Sequence, residues 1–174
     1  MTTRPASARV AILVEDLYQD LEVWYPYYRL QEAGHHPVFV GTGSQPAYKG
    51  KYGYPVVPHQ LIARARPAAY EAVIVPGGFA PDFLRRYPAV LKFVKDMDRR
   101  HKIVAAICHA GWVLVSAGIL RGRTVTGFSA IKDDLVNAGA TFVDRAVARD
   151  RNLITARKPD DLPAFMRALL AALR

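Results

Sequence analysis

One cysteine, Cys108, occurs in 174 residues. A single thiol excludes an intramolecular disulfide framework and a multi-cysteine metal site, and it suits a reducing, cytoplasmic setting, the localisation expected here. No apolar run approaches the roughly 20 residues that a membrane span needs, so no membrane partner is expected. Residues 1–8 lack the apolar core of a secretory signal and read as a loose leader. No His-x-x-x-His pair or similar ligand spacing occurs, and no metal is expected. Gly41-Thr42-Gly43-Ser44 lacks the lysine and spacing of a phosphate-cradling loop; no cofactor is expected. Acidic residues are outnumbered, 15 against 24 Lys and Arg, for a formal charge of +9. The basic residues are nevertheless scattered, from Arg64 and Arg66 through Arg121 and Arg123 to Arg151, without interleaved aromatics. That pattern describes a solvated basic surface, not a nucleic-acid platform.

What is present is a chain 51% hydrophobic and 22% charged, the balance of a globular protein. It reads as a single domain over 1–174. Short apolar runs predict buried strands at Arg9–Val14, Pro37–Gly41, Glu71–Val75 and Ile103–Ile107. Helical spacing runs from Tyr18 to Leu30, with Pro26 inside it and Gly34 as its stop. Another helix spans about Pro81–Arg100, broken by Pro88, and others cover Ala110–Ala117, Ala130–Ala138 and Asp160–Leu173. The Gly- and Pro-punctuated stretch 42–58 predicts a loop with a small hairpin, and a second hairpin turns at Asp150–Asn152. Strands alternating with helices give an α/β, doubly wound, mostly parallel sheet with helices on both faces.

In such a sheet ligands bind beyond the carboxyl ends of the central strands. Three segments end there: Glu15–Glu22, Gly77-Gly78 and Cys108-His109. Cys108 stands where strand gives way to helix, where unpaired N–H groups and the helix dipole favour a thiolate. His109 is the adjacent base. Gly77 and Gly78 open the backbone to a substrate oxygen, with the N–H of His109 as second donor. One carboxylate of the acidic opening Glu15, Asp16, Asp20 and Glu22 is expected beside the thiol. His35, His36 and His59 are expected at the surface.

These residues carry a resemblance. Asp20-x-Glu22-x-x-x-Pro26, Pro76-Gly77-Gly78-x-Ala80-Pro81-Asp82, Ala106-Ile107-Cys108-His109 and Ile131-Lys132-Asp133-Asp134-x-x-Asn137-Ala138-Gly139 together resemble the ThiJ/PfpI superfamily, closest to its PfpI-type intracellular peptidases. The likeness runs from about Arg9 to the C-terminal helix. It implies a flavodoxin-like sandwich of the glutamine-amidotransferase-like class. It further implies Cys108 as nucleophile with His109 beside it, Glu22 tuning the thiol, and Gly78 with His109 as oxyanion donors. Asp82 would complete the site from a neighbouring subunit, which makes the protein a homo-oligomer. Lys51 falls on a pocket lysine, and Gly77 borders the same pocket. Gln19 stands where the close pattern has glutamate, and Phe128 where it has tyrosine. The function implied is a cysteine-dependent hydrolase of peptides or small carbonyl compounds, with deglycase or glyoxalase activity on methylglyoxal or its adducts. The alternative is a redox-sensing, stress-protective protein that uses an oxidisable Cys108 with little turnover.

Overall fold

The structure, a computed structural model, describes residues 7–174. Its elements in chain order are β1 (Arg9–Val14), α1 (Asp20–Glu32), β2 (His36–Gly41), β3 (Tyr48–Lys49), β4 (Pro55–Val56), β5 (Gln60–Leu61), β6 (Ala72–Val75), α2 (Ala80–Leu84), α3 (Pro88–Arg99), β7 (Ile103–Ile107), α4 (Gly111–Ala117), β8 (Thr124–Val125), α5 (Lys132–Asn137), β9 (Thr141–Phe142), β10 (Val147–Asp150), β11 (Leu153–Ala156) and α6 (Leu162–Ala172). Seven strands form one sheet in the order β10-β11-β7-β6-β1-β2-β5. Every neighbouring pair is parallel except β10 and β11, which form the hairpin expected at Asp150–Asn152.

The central strands are continuous apolar runs because both faces of the sheet are covered. All four residues of β6 and all four of β11 are buried, as are Val10 to Val14 of β1. Helices α1 and α6 pack on each other, while α3 packs on β6, β7 and α4. The result is a flavodoxin-like fold with helices on both faces. Pro88 sits at the first position of α3, so the expected break between α2 and α3 lies where its missing N–H is tolerated. Pro26 lies within α1, buried, and leaves the carbonyl of Glu22 without its helical donor. β3 and β4 supply the small antiparallel hairpin of the 42–58 stretch.

Three expectations change. Ala8, placed in the leader, is buried and donates its N–H to Nδ1 of His35, 3.2 Å away; residues 1–6 of that leader lie outside the described residues. His35 is accordingly buried, not a surface residue, and burial lowers its pKa. Arg123, counted with the basic surface, is buried between Asp98, the carbonyl of Asp150 and Asn152.

The strand order reverses between β1 and β6: β2 lies on one side of β1, and β6 and β7 on the other. A crevice outside the carboxyl ends opens at such a switch point.

Candidate active site

The turn after β1 and the turn after β6 are stitched together at that crevice. Gln19 N–H donates to the carbonyl of Gly77 at 3.1 Å, and Phe79 N–H to the carbonyl of Leu17 at 2.9 Å. Gly78 has φ +76°, and a Cβ there would stand 2.5 Å from Gln19 N and from Leu17 O, so only glycine permits this approach. Gln19 also starts α1, its side-chain oxygen accepting from Leu21 N–H at 2.7 Å. The β3–β4 hairpin joins the same edge through Lys51 N–H to the carbonyl of Tyr18, 2.8 Å.

Gln19 therefore serves two ends at once, capping a helix and lining the pocket. That position places Glu22 in the first turn of α1, with no exposed surface. Its Oε2 accepts from Gly77 N–H at 2.7 Å, while Oε1 has no hydrogen-bond partner among the described residues. A Cβ on Gly77 would fall 2.7 Å from both Glu22 Oε2 and Cys108 Cβ, and 3.1 Å from Sγ. The glycine is what lets carboxylate and thiol meet.

Cys108 follows β7 in a 3₁₀ turn, Cys108–Ala110, with φ +62°. A β-carbon-bearing residue in the left-handed region is strained, and such strain collects where a side chain must be aimed. The turn directs a mostly buried thiol at the crevice, its Sγ 3.3 Å from Nδ1 of His109. Burial, against the pull of Gly77 N–H, raises the Glu22 carboxyl to about 7. Burial and the adjacent Glu22 charge push the Cys108 thiol up to about 12, against the pull of the His109 and Gly78 N–H groups. The thiolate expected from the helix dipole alone is thus opposed while Glu22 is charged. The α4 helix is only seven residues long and begins after the 3₁₀ turn, which weakens its share.

Burial, with the positive charge of Lys51, lowers His109, so its imidazole is neutral near pH 7. Its ring stacks on Phe128 at 4.7 Å and meets the edge of Trp112 at 5.3 Å. Phe128 N–H donates to the Cys108 carbonyl at 3.2 Å.

A cavity of about 340 Å³ lies over the thiol, lined by Gln19, Lys51, Tyr52, Gly78, Phe79, Cys108, His109, Trp112, Phe128 and Pro159. The structure thus brings Cys108, His109, Glu22, Gly77, Gly78, Gln19, Lys51 and Phe128 together. It does not bring Asp82 to them within the chain: that carboxylate is partly exposed on α2 and pairs with Arg86. Sequence reasoning missed Tyr52, Phe79, Trp112 and Pro159 as walls, and none of them carries a local signal of that role.

A doubly wound sheet with a thiol on a strained turn at its switch point, beside a buried carboxylate, defines a flavodoxin-like protein with a thiol–carboxylate site. The chain belongs to the DJ-1/PfpI family, whose pattern matches residues 8–172. It is similar to a Pyrococcus abyssi protein named a deglycase, 40% identical over 95% of this chain and 99% of the relative. A Bacillus subtilis protein provisionally named a cysteine protease is 36% identical over 97% of this chain and 99% of its own length. Among solved structures, an Anabaena variabilis protein with DJ-1/ThiJ/PfpI-like and ferritin-like domains superposes with a TM-score of 0.94 at 40% identity. That match covers 96% of this chain and 48% of the other.

Proposed function

We propose that the chain is a cysteine-dependent hydrolase acting on small carbonyl compounds, with deglycase or glyoxalase chemistry on methylglyoxal or its adducts. The observation that carries this reading is a single thiol and a fully buried carboxyl both packed against Gly77, with the thiol opening on a small cavity. Once it has taken a proton, the Glu22 carboxyl is a donor as well as an acceptor, and its charge and that of the Cys108 thiol are coupled. The Glu22 carboxylate takes the thiol proton as Cys108 attacks.

With an α-oxoaldehyde, Cys108 Sγ bonds to the aldehyde carbon, and the new alkoxide takes from Glu22 the proton that the thiol gave up. The N–H groups of Gly78 and His109 serve as its hydrogen-bond donors. The hydrogen on that carbon leaves as a proton to the Glu22 carboxylate or the neutral His109 imidazole, which returns a proton to the neighbouring carbon. Water then cleaves the thioester C–S bond. One carbon is oxidised and its neighbour reduced, so methylglyoxal and water give lactate without an external oxidant. The P. abyssi relative's name, deglycase, supports the deglycase part of this reading.

Peptide hydrolysis is a second reading, favoured by the B. subtilis relative's name. Protonating a leaving amine asks for an acid behind His109, and Asp82 of a second copy would supply it in a homo-oligomer. A panel of methylglyoxal, glycated thiols and peptides, run on wild type and Cys108→Ala, separates the two. Lactate or freed thiol from the wild type alone supports the proposal. Equal turnover by Cys108→Ala would sink it, and turnover of peptides only would favour the second reading.

A further inference from the structure

The walls above the thiol are unusually aromatic for a site that handles small carbonyl compounds. Four of the cavity's ten lining residues, Tyr52, Phe79, Trp112 and Phe128, carry benzenoid rings. Two of them are fixed. Phe128 stacks on His109 and is tied by its N–H to the Cys108 carbonyl. Trp112 donates its indole N–H to Asp134 at 2.9 Å and lies under the Arg85 guanidinium at 5.8 Å. The other two stand at the rim and are largely exposed. Among the described residues the one cationic group in the wall is Lys51, whose ammonium lies 5.0 Å from the Tyr52 ring centroid. A three-carbon substrate needs none of these rings, whereas a flat apolar substituent would replace water against all of them.

Resting on the proposed carbonyl chemistry, we infer that the cavity selects α-oxo compounds bearing an aromatic ring, held between Trp112, Phe128 and Phe79 while the carbonyl faces Cys108. An arylglyoxal passes through the same balanced steps. Sγ adds to its aldehyde carbon, that carbon loses a proton, the benzylic carbon gains one, and water releases the aryl 2-hydroxy acid. Ring–ring contact favours the aryl over the methyl compound by roughly 5- to 10-fold.

The test compares kcat/KM for phenylglyoxal and methylglyoxal, read as mandelate and lactate formed, in wild type, Trp112→Leu and Phe79→Leu. In parallel, benzoylformate and pyruvate are compared as protectants of Cys108 against iodoacetamide. This pair shares the carboxylate and oxo group and differs only in ring against methyl. The expected result is an aryl preference of about fivefold or more in both assays, narrowing in each variant mainly through KM. Equal kcat/KM for the two aldehydes, or equal protection by the two acids, overturns the inference. If neither aldehyde is turned over but benzoylformate still protects better, the carbonyl-hydrolase reading fails while the aromatic selection stands.

Discussion

Glu22 carries a carboxyl with no exposed surface, held by one backbone N–H and, among the described residues, left with one oxygen unpartnered. Its titration near 7, against an ordinary value of 4.5, makes it a stability device as well as a chemical one. The raised value means the folded state prefers the protonated form. Its favourable contribution is therefore complete below pH 4.5 and is lost as pH rises to 7, so above 7 the buried charge costs about 3 kcal/mol. Glu22→Gln, which keeps an acceptor for Gly77 and removes the charge, should raise the melting temperature at pH 8 by several degrees. At pH 4 it should leave it unchanged, as a pair of thermal melts would read. The site thus sits where function opposes stability. In the sequence, four acids opened the first helix and nothing in their spacing singled out one. What singles out Glu22 is that helical rotation turns it inward, whereas Asp16 and Asp20 accept from the hairpin backbone.

At the scale of elements, the site depends on how the β3–β4 hairpin is fastened to α1. Asp20 accepts from Tyr52 N–H at 3.1 Å and from Tyr54 N–H at 3.2 Å, and Gly50 has no room for a Cβ beside that carboxylate. The loop between those contacts carries Lys51 and Tyr52 into the cavity wall. Asp20→Ala should loosen this loop without breaking the sheet. Amide exchange at Tyr52 and Tyr54 should accelerate about tenfold, and KM should rise more than kcat falls. The strands and the Pro88 break were legible because apolar runs and proline act locally. The aromatic walls were not. Trp112 reads as one more apolar position at the start of α4, and Phe79 and Tyr52 as loop residues. Only the tertiary meeting of three loops turns them toward one space.

For the whole molecule, the reversal of strand order at β1 and β6 decides where everything else gathers. The parallel topology was legible from alternating patterns, and the carboxyl-end rule then pointed to three segments that the structure does bring together. Charge was less informative than it looked, because Arg123 is spent inside the fold on Asp98 and Asp150. Asp82 belongs here as well: within one chain it pairs with Arg86 and does not line the cavity. If a second copy supplies it, Cys108→Ala and Asp82→Asn should each lose peptide hydrolysis. Mixing the two under conditions of subunit exchange should restore part of the activity, because one hybrid site then combines an intact Cys108 with an intact Asp82. No recovery after verified exchange would argue against a shared site.

Proton sharing between Cys108 and Glu22 is directly measurable because the chain has a single cysteine. The rate of iodoacetamide alkylation, followed by intact mass across pH 5 to 10, reports Cys108 alone. The pair predicts a rise in reactivity centred near pH 7 in the wild type, where Glu22 titrates, and loss of that limb in Glu22→Gln. A single limb at an ordinary thiol pKa, identical in both proteins, would contradict it.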